Sequence, residues 1–148
     1  MAQLATEQAM LAALADCRAL FGQTPEVVAV DAHPAYRSRA VGQKLARDHG
    51  WQLETVWHHH AHIAATMAEN GWGQAPVLGL ALDGTGYGPD GTLWGCEMLV
   101  CDYAGMTRVG HLATAPMPAG VKAVREPWRL LAAQLDRALG AGDSRQIR

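Results

Sequence analysis

Apolar residues recur at helical spacing near the start of the chain, where Met10, Leu14, Cys17 and Phe21 follow one another at four, three and four positions. This spacing predicts a helix over residues 3–21, closed by Gly22 and Pro25. The unbroken apolar run Val27-Val28-Ala29-Val30 predicts a short strand buried on both faces, ending in the polar segment Asp31-Ala32-His33-Pro34. A second helix is expected over about 35–49, stopped by Gly50. A second strand, Leu53-Glu54-Thr55-Val56-Trp57, follows. A third helix covers about 59–70, with Ile63, Ala64 and Met67 on its apolar side and Asn70-Gly71 as its stop. The order α-β-α-β-α implies parallel strands joined by crossover helices. In such sheets ligands gather at the carboxyl ends of the strands.

Beyond Gly71-Trp72-Gly73-Gln74 the texture changes. Residues 76–82 predict a buried strand, residues 84–88 a glycine turn, and residues 92–101 and 107–112 two more strands, with Tyr103-Ala104-Gly105 turning between them. That is a β-meander. Pro116 and Pro118 end it, and a final helix is expected over residues 124–139, before a frayed tail from Gly140 onward. The expected fold is therefore α/β in two half-domains, residues 1–72 and 73–148.

Composition narrows the function classes. A chain of 148 residues, 49% hydrophobic and 18% charged, can bury the core of one ordinary domain. A net charge of -2 gives no electrostatic case for nucleic acid or an anionic membrane. Cys17, Cys96 and Cys101 form neither a CxxC pair nor an even set, so reduced structural thiols are expected. The first residues lack the basic start and apolar core of a secretion signal, and no run approaches the ~20 apolar residues of a membrane span. A cytoplasmic protein is the expectation.

Four of the seven histidines lie in Trp57-His58-His59-His60-Ala61-His62, at a strand-to-helix junction. His58 and His62 are four apart, so on a helix they share one face and can grip a single metal ion. His59 and His60 point elsewhere and are candidates for supporting or substrate contacts. A metallopeptidase does not fit, because its HExxH pattern needs a glutamate where His59 stands. Asp83 places a carboxylate at the end of a strand, beside Gly84, Thr85, Gly86 and Gly88. Amides freed by glycine can bind phosphate, and the same residues, with Pro89-Asp90-Gly91, equally suit a plain hairpin. Arg125-Glu126-Pro127-Trp128-Arg129 suits a helix start, or an arginine clamp in which Arg125 or Arg129 holds an anionic substrate. Asp31-Ala32-His33-Pro34 is open between turn and site, and Glu97 is a weaker candidate.

Taken in order, Asp31-Ala32-His33-Pro34-Ala35-Tyr36, His58-His59-His60-Ala61-His62-Ile63-Ala64-Ala65, Leu82-Asp83-Gly84-Thr85-Gly86-Tyr87-Gly88-Pro89-Asp90-Gly91 and Arg125-Glu126-Pro127-Trp128-Arg129 resemble the HypF family of hydrogenase-maturation carbamoyltransferases. The resemblance covers about residues 20–135. It implies a piece of an actin-like ATPase superfold, comprising the end of its first half and the start of its second, related to the TsaD-type threonylcarbamoyl transferases. It further implies that a carbamoyl group passes from carbamoyl-adenylate, made elsewhere from carbamoyl phosphate and ATP, to the C-terminal cysteine of a HypE-like acceptor. By similarity, His58, His62 and Asp83 bind a divalent metal, iron or zinc, with Asp83 also catalytic. The residues 84–88 would face the adenylate phosphate. Two other readings stand beside this one: a non-catalytic remnant or metal-binding subunit, and an actin-like nucleotide hydrolase or kinase fragment, which has no need of the histidine cluster.

Overall fold

The computed structural model describes residues 2–140, with side chains from residue 5 onward. The tail beyond Gly140 lies outside the described residues. The chain forms two compact units, residues 1–56 and 57–148.

In the first unit the order is α1 (Ala2–Phe21), β1 (Val27–Asp31), α2 (Arg37–His49) and β2 (Gln52–Val56). β1 and β2 pair in parallel from Val27↔Gln52 to Asp31↔Val56, which is the expected crossover unit. α2 lies tightly on β1. A Cβ at Gly42 would sit 3.2 Å from Val28 Cγ1 and closer still to Val30, so only glycine lets the helix approach this near. Gly50 then stops α2 in the left-handed conformation (φ 69°), its N–H donating to Ala46 O. Val30, Ala32, Val41 and Ala46 are the buried hydrophobic residues of this unit among those described, and Gly42 is buried with them. The stripe expected on α1 is only partly covered, since Leu14 and Phe21 are exposed. The segment after β1 forms a turn: Asp31 Oδ1 accepts the His33 N–H at 2.7 Å, and the His33 and Tyr36 rings stack 4.2 Å apart.

The second unit contains α3 (His58–Glu69), β3 (Val77–Tyr87), β4 (Leu93–Cys101), β5 (Met106–His111), α4 (Lys122–Arg125) and α5 (Trp128–Leu139). The three strands form an antiparallel meander in the order β3-β4-β5. Alternation along β3 turns Gly79 and Ala81 toward α3 and leaves Leu78, Leu80 and Leu82 exposed. Ile63 and Met67 of α3 pack on Ala81, Trp94, Leu99 and Cys101, with Leu99 fully buried.

β1, expected to be buried on both faces, instead leaves Val27 and Ala29 exposed and buries Val30, and two further elements differ from expectation in their extent. β3 does not stop at Leu82 but continues to Tyr87, and the reversal falls at Gly88-Pro89-Asp90-Gly91, where Gly91 has φ 77°. Gly84, Gly86 and Gly88 are absent from the positive-φ glycines, so none of them serves chain reversal; Gly86 and Gly88 allow close approach, whereas Gly84 faces open space. The final helix is also split. Pro127 has no N–H to give to a continuing helix and forces Glu126 out of helical geometry (φ -126°, ψ 73°), so α4 ends and α5 starts afresh.

Candidate metal centre

The cluster is assembled within the second unit from the first turns of α3 and an irregularity in β3. On α3, His59, His60, Ile63 and Met67 form the buried face. His58 and His62 lie one turn apart on the open side, with ring centroids 4.7 Å apart. On β3, Leu82 pairs with Cys96 and Gly86 with Trp94, so Asp83, Gly84 and Thr85 together oppose the single Gly95. Such a bulge breaks the alternation of side chains and re-aims the residues within it. The bulge presents Asp83 to the histidines.

His58 Nε2 lies 2.8 Å from Asp83 Oδ2 and 3.2 Å from His62 Nε2, and His62 Nε2 lies 3.9 Å from Asp83 Oδ2. One ligand atom from each residue falls within 4.8 Å of the others. Ligands about 2.0–2.1 Å from a tetrahedral ion stand roughly 3.3–3.4 Å from one another, so this spacing brackets that of a bound metal. The protonation argument agrees. A single Nε2 proton on His58 can serve either Asp83 or the His62 nitrogen, not both. Asp83 Oδ2 is shielded from solvent yet accepts no well-formed hydrogen bond. Three acceptors converge where one cation would satisfy all of them, and the donor set fits a divalent ion.

His59 is 1% exposed, and neither ring nitrogen has a hydrogen-bond partner. Its Nε2 stands 3.8 Å from Asp83 Oδ2. Burial pushes its pKa down, against the pull of the Asp83 carboxylate, which disfavours the protonated ring. The ring lies against Trp94, their centroids 6.0 Å apart. Behind Trp94 sits a polar brace that the sequence did not reveal. The Arg108 guanidinium lies 4.3 Å over the Trp94 ring, and its Nε donates to Glu97 Oε2 at 2.6 Å. Glu97, only 3% exposed, accepts the Gly95 N–H at 3.0 Å with its other oxygen. Asp90 accepts from the Trp94 indole N–H at 3.0 Å and from both the N–H and hydroxyl of Thr92. Glu97 thus holds the residue facing the bulge. The register sets Glu97 opposite His111 and Arg108 opposite Leu99, with an irregularity between them, so simple strand pairing would not have joined Glu97 to Arg108.

The other named residues are placed as follows. His60 Nε2 donates to the Asp102 carbonyl at 2.7 Å, tying α3 to the β4–β5 turn. Thr85 is half-buried in the bulge, and Gly84 is exposed with open space on its side-chain face. The Gly84 N–H is taken by Asp83 Oδ1 at 2.6 Å, and the Gly88 N–H by Thr92 O at 2.9 Å. Arg125 is exposed at the end of α4, whereas Arg129 is held by Glu126 at 2.7 Å and lies over Trp128. Among the described residues no helix is long and apolar enough to cross a membrane.

Comparison with known proteins bears on the whole chain. Residues 1–69 match the family model of the HypF Kae1-like domain, and residues 79–147 match that of the carbamoyltransferase Kae1-like domain, second subdomain. The chain is 45% identical over 139 residues to carbamoyltransferase HypF2 of Cupriavidus necator, covering 94% of this chain and 17% of that protein. It is 47% identical over 135 residues to carbamoyltransferase HypF of Rhodobacter capsulatus, covering 90% of this chain and 18% of that protein. A crystal structure of full-length HypF in the phosphate- and nucleotide-bound form superposes with a TM-score of 0.76 at 34% identity, over 93% of this chain and 18% of that one. The chain spans less than a fifth of the length of these relatives, and with both of its halves matched it belongs to the HypF carbamoyltransferase family, in the Kae1-like region.

Proposed function

We propose that the second unit holds a divalent metal ion on His58, His62 and Asp83. We propose further that, within a longer carbamoyltransferase, this site serves transfer of a carbamoyl group from carbamoyl-adenylate to the C-terminal cysteine of a HypE-like acceptor. The observation that carries this reading is the convergence of three ligand atoms within 4.8 Å in a chain 45% identical to a named carbamoyltransferase. When bound, the ion would neutralise phosphate charge and polarise the carbamoyl carbonyl. Imidazole and carboxylate donors suit iron and zinc alike.

The residues of this chain divide the remaining work. Asp83 is steadied by its own contact to the Gly84 N–H and by its place in the bulge, which keeps Oδ2 directed at the histidines. The open side of Gly84 is where a substrate phosphate could approach, with Thr85 and Gly86 following on the same strand and Gly88 just past its end. Arg125, exposed at the end of α4, is the candidate partner for an anionic substrate group. The acceptor thiol comes from outside. Cys101 is buried and desolvation pushes its thiol pKa up, which makes it a poor nucleophile. On this reading the chain carries parts of both halves of an actin-like ATPase fold, divided near residue 72, and works in the cytoplasm.

The test is reconstitution. The chain would be combined with the remaining family domains, ATP, carbamoyl phosphate and a HypE-like acceptor, and the acceptor followed by mass spectrometry. A gain of one carbamoyl group, lost with Asp83→Asn, supports the proposal. Transfer unchanged by Asp83→Asn refutes the role of the site. A chain that binds metal but supports no transfer with every domain supplied favours the second reading, a metal-binding piece without catalysis.

A further inference from the structure

Gly86 lies in extended backbone, opposite Trp94, where any residue could be accommodated on conformational grounds. Its side-chain space is nevertheless full. A Cβ there would meet the His59 imidazole, 2.8 Å from Nδ1 and nearer still to Cε1, and would stand 3.0 Å from Cδ2 of His58. Real Cβ atoms are essentially never closer than 3.0 Å to such neighbours, so something would have to shift. The His59 ring has little room to yield, because it is buried and backed by Trp94, itself 5% exposed under the Arg108 guanidinium. Relief would therefore move α3 away from β3, and His58 with it.

We propose that Gly86 is a positioning residue of the metal site. By lacking a side chain it lets the His58 and His59 rings seat against β3, which sets the distance between the His58/His62 pair and Asp83. Its role is steric, at the back of the donor set, and distinct from any amide-to-phosphate contact. The consequence for metal affinity rests on the metal reading above, whereas the placement of the rings does not.

The test uses the full chain with cobalt(II) as the probe. Titration followed by the visible cobalt absorption reads affinity and ligand geometry, and histidine side-chain NMR of the metal-free protein reads ring placement. Gly86→Ala is expected to weaken cobalt binding about 10–100-fold, the range typical of disturbed supporting contacts, and to shift the His58 and His59 resonances. Gly105→Ala, where nothing lies within 4 Å, should change neither. In Gly86→Ala/His59→Ala the severe clash with His59 is removed and only the 3.0 Å approach to His58 Cδ2 is left, so affinity should recover part of the way toward wild type. Should Gly86→Ala fail to fold, the double variant still decides the matter, because recovery of fold and binding together requires the steric cause. Wild-type affinity and unchanged imidazole resonances in Gly86→Ala would overturn the proposal, as would a folded double variant no better than Gly86→Ala. If the wild-type chain binds no cobalt but Gly86→Ala still shifts the imidazole resonances, the metal reading falls and the steric role of Gly86 stands.

Discussion

The Nε2 atom of His58 lies 2.8 Å from Oδ2 of Asp83, joining the first turn of α3 to the bulge in β3. Neither element makes the site alone. The helix sets the pair His58 and His62 one turn apart, and the bulge takes Asp83 out of the ordinary alternation of its strand. The site is thus as sound as the packing between α3 and the sheet, and several predictions concern that packing.

Arg108 joins the buried Glu97 to the face of Trp94. Arg108→Ala removes the partner and leaves a carboxylate that is 3% exposed without its cation. Breaking such a pair costs about 3 kcal/mol. Urea denaturation should show a loss of that order, and Arg108→Ala/Glu97→Gln should recover part of it.

Gly88 is held glycine by packing. A Cβ there would stand 2.6 Å from Trp94 Cδ1. Overpacking against a buried indole typically costs 1–3 kcal/mol. We expect Gly88→Ala to lower the urea midpoint accordingly, with a change in Trp94 fluorescence that Gly105→Ala does not produce.

Asp90 gives a pH dependence of definite sign. The Thr92 hydroxyl and N–H, then the Trp94 indole N–H and the Arg108 charge, hold its carboxyl below the ordinary value of 3.8. With the folded pKa the lower one, the unfolded chain binds the proton more readily, and the stabilisation is complete above 3.8 and lost as pH falls through the folded value. The stability difference between wild type and Asp90→Asn should therefore shrink as pH drops below 3.8. A difference that stays constant over that range would contradict the assignment.

Much of this was legible in the sequence. Helical spacing located α1 and α3, the stop at Gly50 marked the end of α2, continuous apolar runs located β1 and β3, and the parallel pairing of β1 with β2 followed from the crossover order. The i, i+4 spacing of His58 and His62 placed them on one face and pointed His59 and His60 elsewhere, but that His59 and His60 are buried in the face of α3 that packs on the sheet was not read from the sequence. The bulge was hidden because Asp83-Gly84-Thr85-Gly86 has the local composition of a turn. Only the long-range contacts of Gly86 with His59 and Gly88 with Trp94 reveal why glycine stands there. The break at Pro127 was hidden for the opposite reason. Proline suits a first helical turn, so the segment read as one helix, whereas the four residues before it form a separate turn. The tie from His60 to Asp102 spans elements that no local pattern connects.

The central claim is that His58, His62 and Asp83 act as one metal site, and a zinc titration by calorimetry, with wild type set against His58→Ala, His62→Ala and Asp83→Asn, tests it most directly. The account predicts one ion per wild-type chain, an affinity reduced at least about tenfold in each of the three variants, and no change in the exposed control His111→Ala. Equal zinc affinity in wild type and all three variants would contradict it.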